Sequence, residues 1–295
     1  MSAKRAVAIG ECMIEMGPLA EGRRRQGFAG DTFNAAVHLR GGLGPDWSVG
    51  YVSAVGDDPM SDAMLAAMRG HGIETGGVRR IAGRRPGLYV IDLEAGERVF
   101  TYWRSESAAR GLCADMAALR AALAGVAAVH FSGITLAILP EADRAALLDA
   151  IAAARAAGAM VAFDPNLRPA LWADRAAMRD GVLAGLAVCD LALVTAPDDL
   201  DLLGMAGPEA LASHLHGRGV AEVVVRAGAD PALVSRKGQT AWVAAEPARV
   251  VDTSGAGDSF SGTYLAARLM GQGPDASARA AHKVAAGVIG RFGAI

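Results

Sequence analysis

Three consecutive segments decide the fold class: Ala127-Ala128-Val129-His130-Phe131-Ser132, the alanine- and leucine-rich stretch Glu141–Ala157, and Met160-Val161-Ala162-Phe163-Asp164. The outer two are short and continuously apolar, as strands buried on both faces must be, and the middle one has the length and composition of a helix. The alternation continues downstream. Arg175–Leu186 reads as a helix, Asp190–Thr195 as a strand, Pro208–Arg218 as a helix and Val220–Arg226 as a strand. Such a pattern predicts a mostly parallel α/β sheet covered by helices on both faces. Sheets of this kind bind ligands in the crevice beyond the carboxyl ends of their strands. Polar residues directly after these strands are therefore the first candidates for chemistry.

Upstream the pattern changes. Val7–Gly10 and Val49–Val55 read as core strands, and Ala29–Leu43 as a helix opened by Gly30-Asp31-Thr32. Gly87–Leu93 and Arg98–Arg104 alternate in polarity and are joined by Glu94-Ala95-Gly96-Glu97, the mark of an antiparallel hairpin. A hairpin inserted into a parallel core commonly serves as a lid. No linker, repeat or low-complexity stretch divides the chain, so a single domain over 1–295 is expected.

Composition narrows the partners. With 52% hydrophobic and 20% charged residues the 295-residue chain can build a large core. A formal net charge of −2 recommends neither nucleic acid nor a membrane surface. The apolar run within Met1–Gly10 is too short for a signal-peptide core and no stretch approaches a membrane span, so a cytoplasmic protein is expected. Cys12, Cys113 and Cys189 are odd in number and far apart, suiting neither a disulfide framework nor a metal site, and read as reduced, buried small hydrophobes.

The chemistry concentrates in Asp252-Thr253-Ser254-Gly255-Ala256-Gly257-Asp258-Ser259-Phe260. A turn of small residues runs into an apolar helix beginning near Gly257. Glycines allow close backbone approach, and the unpaired N–H groups of a first helical turn cradle an anion. A carboxylate at 258 would repel phosphate as a ligand. Beside a phosphate cradle it suits a base that takes the proton of an attacking hydroxyl. Taken alone, Gly-x-Gly-Asp is equally an ordinary helix start with an acid in its first turn. The chain has no Gly-x4-Gly-Lys-Ser/Thr, and Ile9-Gly10-Glu11-Cys12-Met13 stands where a dinucleotide fingerprint would lie.

Asp-Thr-x-Gly-Ala-Gly-Asp before an apolar helix resembles the C-terminal signature of the PfkB (ribokinase-type) sugar kinases. Ala29-Gly30-Asp31-Thr32-Phe33-Asn34-Ala35-Ala36 is similar to their N-terminal signature, with Ala29 in place of the first glycine. The resemblance spans nearly the whole chain and implies a ribokinase-like, doubly wound sheet with a small β lid, here about residues 11–29 and 84–107. It further implies ATP as co-substrate with Mg2+, an anion hole at Gly255, Ala256 and Gly257, and Asp258 as catalytic base. Gly30, Asp31 and Asn34 would face the sugar. Asp252 and Ser254 match positions that hold a monovalent cation, K+, in some relatives. A homo-oligomer is expected.

Further stretches resemble one subfamily, the 2-keto-3-deoxygluconate kinases. These include Gly10-Glu11-Cys12-Met13-Ile14-Glu15, Pro86-Gly87-Leu88-Tyr89, Gly96-Glu97-Arg98 through Tyr102-Trp103-Arg104, Ser132-Gly133-Ile134, Phe163–Pro169 and Leu171-Trp172. The implied reaction phosphorylates the 6-hydroxyl of a sugar acid. Arginine's planar fork suits the carboxylate at the other end, and Arg168 and Arg104 are the expected anchors, with Tyr89 and Tyr102 beside them. Strand alternation puts Tyr102 and Arg104 on one face.

Departures from the family pattern mark the nucleotide side. Thr195-Ala196-Pro197-Asp198-Asp199 stands where Asn-x-x-Glu organises Mg2+, so Asp198 or Asp199 would supply the carboxylate. Arg226-Ala227-Gly228 replaces a Lys-x-Gly pattern, with Thr195, Arg226 and Gly228 expected at the nucleotide and Arg226 expected to neutralise phosphate. His282 and Arg291 fall near the adenine pocket with roles left open. Two other readings stay in view: a kinase for fructose, ribose or another sugar, and a non-catalytic sugar- or nucleotide-binding protein.

Overall fold

A parallel sheet needs crossover helices, and the alternating half of the chain supplies them in order. The structure is a computed structural model that describes residues 4–19, 22–94 and 97–295. Its strands are β1 (Lys4–Ile9), β2 (Met13–Pro18), β3 (Arg24–Ala29), β4 (Trp47–Val55), β5 (Ile73–Arg80), β6 (Leu88–Glu94), β7 (Glu97–Trp103), β8 (Ala128–Ser132), β9 (Met160–Asp164), β10 (Leu191–Thr195), β11 (Glu222–Ala227), β12 (Asp230–Arg236) and β13 (Gln239–Val243). Its helices are α1 (Asp31–Gly42), α2 (Pro59–Gly70), α3 (Met116–Leu123), α4 (Gly133–Ala137), α5 (Glu141–Ala156), α6 (Arg175–Ala187), α7 (Asp198–Leu203), α8 (Pro208–Gly217), α9 (Ala256–Leu269) and α10 (Pro274–Ile289).

Nine strands form the main sheet in the order β13-β12-β11-β10-β9-β8-β1-β4-β5. Pairing is parallel from β5 through to β11, and β12 and β13 add an antiparallel edge that the strand-helix alternation does not predict. The two sheet faces carry different side chains. Val129, Phe131, Val161 and Phe163 point to one face, where the Phe131 and Phe163 rings meet at 4.7 Å. Each such side chain contributes about 1.5–3 kcal/mol through burial. Ala6, Ala8, Ala128 and Ala162 point to the other, giving a shallow surface on which α1 and α9 can lie close. Gly262 lets those two helices touch, because a Cβ there would stand 2.1 Å from the Ala35 carbonyl oxygen. This contact matters for the site, since α1 and α9 each bring one partner of a functional hydrogen bond.

The lid is a second, four-stranded sheet in the order β3-β2-β6-β7. The hairpin β6–β7 pairs with β2 in parallel, and β2 pairs back on β3. Of the expected turn Glu94-Ala95-Gly96-Glu97, Ala95 and Gly96 lie outside the described residues. Tyr89 stands opposite Tyr102 in the hairpin register. All three cysteines are buried free thiols. Among the described residues no helix is long and apolar enough to cross a membrane.

Candidate active site

Register in the main sheet assembles the floor of the site. Ser132 pairs with Asp164, and Thr195 pairs with Arg226, so the carboxyl ends of β8 to β11 gather on one side of the sheet. Facing them is the start of α9. Gly255 precedes the helix at φ +73°, where a side chain would be strained, and a Cβ on it would lie 2.4 Å from that of Ala294. The first turn of α9, whose amides have no partner four residues back in the helix, borders a cavity lined by Thr253 to Asp258, with the Ala256 N–H donating at 3.3 Å to the Thr253 carbonyl. The helix dipole favours an anion there.

Asp258 is held by α1. Asn34 Nδ2 donates to its Oδ2 at 2.8 Å. The Asn34 amide is oriented in turn by the Gly30 N–H, which donates to its Oδ1 at 3.4 Å. Burial pushes the Asp258 carboxyl up to about 7, with the negative charges of Asp31 and Asp164 acting in the same direction. The Asn34 donor and the charge of Arg168 pull the other way. A carboxyl poised near neutrality is suited to proton transfer. Asp31 accepts a 2.9 Å bond from Asn166 Nδ2. Asn166 is thus a site residue that the sequence offered only as part of the Phe163–Pro169 resemblance, with no role of its own. Its signal was present in Asp164-Pro165-Asn166-Leu167-Arg168.

Two cavities meet at Asp258. One, of about 490 Å³, lies under the lid between Gly30, Asp31, Asn34, Tyr89, Tyr102 and Arg104. The other, of about 420 Å³, lies over the ends of β9 to β11 and the anion cradle. Arg168, Asn166, Gly255 and Asp258 line both. The structure therefore gathers every residue expected to face the sugar around a single cavity, with two differences in their chemistry. Tyr89 is buried and its hydroxyl donates a hydrogen bond to Glu15 Oε2. Arg104 gives Nη2 to the buried carboxylate of Glu11, so its charge is already compensated, though its Nε–H is buried without a partner. Arg168 is exposed and among the described residues donates only to the Leu167 carbonyl, which leaves it the freer cation.

On the other side two expectations change and a third is narrowed. Arg226 is not a free phosphate ligand. Its guanidinium donates to Asp164 Oδ1 at 2.9 Å, Ser261 Oγ at 2.9 Å, Thr195 Oγ1 at 2.8 Å and the carbonyls of Leu193, Val194 and Gly257. With its donors engaged and only 8% of the residue exposed, it ties α9 to the ends of β9 and β10. Gly228 sits in the β11–β12 turn at φ +63° and lines neither cavity. Of the two acids, Asp199 faces inward. Its Oδ2 takes the Thr195 N–H at 2.6 Å, and burial foremost pushes it up to about 7, with Asp164 and Asp198 adding to the rise. Asp198 is exposed at the cavity rim.

The Asp252–Ser254 pair does not fit a monovalent cation, because a guanidinium is already there. Arg98 of the lid puts Nη2 2.6 Å from Asp252 Oδ2, and its Nη1 donates to Ser254 Oγ. His282, left open above, packs edge-on against Phe260 at 5.0 Å, and Arg291 is exposed; neither lines either cavity. Among the described residues no cluster of His, Cys, Asp or Glu could by itself hold a metal ion.

A doubly wound sheet, an anion-cradling turn at a helix start, an acid between two cavities and a β lid define a phosphotransferase of the sugar-kinase class. The profile for "pfkB family carbohydrate kinase" matches residues 3–295, and the chain belongs to that family. The 2-dehydro-3-deoxygluconokinase of Dickeya dadantii is 40% identical over 303 residues, covering 100% of this chain and 97% of its own. That of Escherichia coli K12 is 39% identical over 300 residues, covering 99% and 97%. Among solved structures, a PfkB protein from Polaromonas sp. JS666 superposes with a TM-score of 0.88 at 29% identity, covering 98% of this chain and 96% of that one. The fructokinase of Xylella fastidiosa with bound ATP shares the fold, with a TM-score of 0.86 at 23% identity and coverage of 99% and 94%.

Proposed function

We propose that this enzyme transfers the γ-phosphoryl group of ATP to the 6-hydroxyl of 2-dehydro-3-deoxygluconate (2-keto-3-deoxygluconate). The observation that carries the reading is the junction of the two cavities at Asp258. An acceptor in the lid cavity and a donor over the anion cradle would meet at Asp258, a carboxyl poised near neutrality that borders both cavities. Full-length similarity to 2-dehydro-3-deoxygluconokinases supports the choice of acceptor.

Each residue then has a physical task. Asp258 accepts the proton of the attacking hydroxyl, and Asn34 keeps its carboxylate aimed. The amides of Gly255, Ala256 and Gly257 hold the transferring phosphoryl as charge builds on its oxygens. Arg168 reaches the substrate from the lip of both cavities and pairs with the acid's carboxylate, while Tyr89, Tyr102 and Arg104 cover the sugar from the lid. The residues present fit a hydrated Mg2+: Asp199 Oδ1 is a buried acceptor without a partner among the described residues, on a side chain lining the donor cavity. When bound, Mg2+ neutralises the phosphate charge.

A coupled ADP-release assay across sugars and sugar acids tests the proposal. The acid should be preferred over fructose and ribose, and Asp258→Asn should lower kcat by about 10² or more with ATP binding retained, the scale of general-base loss. Turnover of the variant within a few-fold of the wild type would remove Asp258 from the mechanism. A neutral ketohexose is the second reading, favoured by one observation: Glu11 already balances Arg104. Preference for fructose in the same assay would establish it.

A further inference from the structure

The lid reaches the phosphate side of the molecule through one residue. Arg98 stands just beyond the hairpin turn, and its guanidinium crosses to the segment that leads into α9. There it meets Asp252, whose side chain is 1% exposed. Asp252 Oδ1 takes the Ser254 N–H at 2.9 Å, and Oδ2 takes the Gly293 N–H at 2.9 Å. The carboxylate therefore joins the lid tip, the turn before the anion cradle and the C-terminal segment. Burial alone would raise its pKa, yet the N–H donors of Gly293 and Ser254 together with Arg98 hold it below the usual range. It is a full negative charge, and Arg98 is its counter-charge.

We propose that Arg98 is a built-in cation that takes the place of a monovalent ion at Asp252 and Ser254, so that closing the lid orders the anion cradle. The resemblance to the family implied K+ at these two residues, and the arrangement disagrees. Arg98 supplies one positive charge to one carboxylate, and its Nη1 donates to the Ser254 hydroxyl oxygen that would otherwise face an ion. K+ would have to displace the guanidinium or sit against a like charge. Arg98 is a positioning residue: it acts on the cradle through Asp252 and Ser254. Lid closure, through this bond, sets the turn whose amides receive phosphate, so phosphoryl transfer is coupled to a covered sugar. The inference deepens the proposed kinase function and rests on it.

The test replaces K+ by choline in the assay of the wild type and of Arg98→Ala and Arg98→Lys. Wild-type kcat should be the same in both salts. Arg98→Ala should lose about 10- to 100-fold in kcat in choline, the scale of the charge-assisted bonds removed. K+ or added guanidinium ion should restore much of it. Arg98→Lys should keep part of the rate and stay insensitive to K+, because a point charge remains without the fork. Melting temperature gives a readout that needs no substrate: K+ over choline should raise it for Arg98→Ala and leave the wild type unmoved. Several-fold activation of the wild type by K+ would overturn the proposal. So would an alanine variant with full activity in choline, or one whose loss lies only in KM for ATP and yields to neither ion. If no sugar is turned over while the melting result holds, the substrate reading fails and the built-in cation stands.

Discussion

Asn34→Ala should move the pH dependence of catalysis upward without changing its shape. In the wild type the Asn34 amide donates to Asp258 at 2.8 Å and stabilises the ionised carboxyl. The active form of a general base is the deprotonated one. With Asp258 pushed up to about 7, kcat/KM should therefore rise as pH increases and level off above that point. A hydrogen bond to a charged group contributes about 1.5–3 kcal/mol, and one pKa unit corresponds to about 1.4 kcal/mol. Losing the donor raises the pKa by about 1–2 units, placing the inflection at about 8–9. ADP release measured over about pH 6 to 10 gives the curve directly. Any contact that Asn34 makes with the sugar would scale the whole curve and leave the inflection alone, so the two effects separate. Asn34→Asp should also shift the inflection upward, since it adds a like charge beside Asp258. An inflection within a few tenths of a unit of the wild type, or one moved to lower pH, would refute the reasoning.

Three further outcomes are expected. Arg168→Ala should lower kcat/KM for the sugar acid by about 10- to 100-fold, mostly through KM, with a neutral sugar little affected and Arg168→Lys recovering part; equal loss on both sugars would move Arg168 to the nucleotide. Arg226→Met should destabilise the fold by about 3–5 kcal/mol in urea unfolding, because Asp164 is left buried without its counter-charge, and adding Asp164→Asn should recover part of that; a loss below about 1 kcal/mol would count against the clamp. Amide exchange in β6 and β7 should slow when the sugar acid binds, as a closing lid requires, and exchange indifferent to the sugar would argue against it.

What the sequence alone determines here is local and periodic. Apolar runs alternating with helical stretches specify a parallel sheet, and that alternation in turn points to the carboxyl edge where Asp164, Thr195 and Arg226 lie. Gly255-Ala256-Gly257-Asp258 announces an anion cradle because glycine conformation and unpaired amides are properties of the chain itself. The partners of these groups belong to the tertiary structure. Asn34 and Asp258 are 224 residues apart, and only the close approach of α1 and α9 at Gly262 makes them neighbours. Arg226 looked like a phosphate ligand until packing placed Asp164, Thr195 and Ser261 around it. Asp198 and Asp199 are indistinguishable as adjacent letters, and the first turn of α7 turns one inward and the other to solvent. Arg98 and Asp252, 154 residues apart, meet only because the lid folds over the α9 turn. Residue types and local spacing are written in the chain, but the neutralisation of a charge depends on which distant group the fold brings within hydrogen-bonding reach.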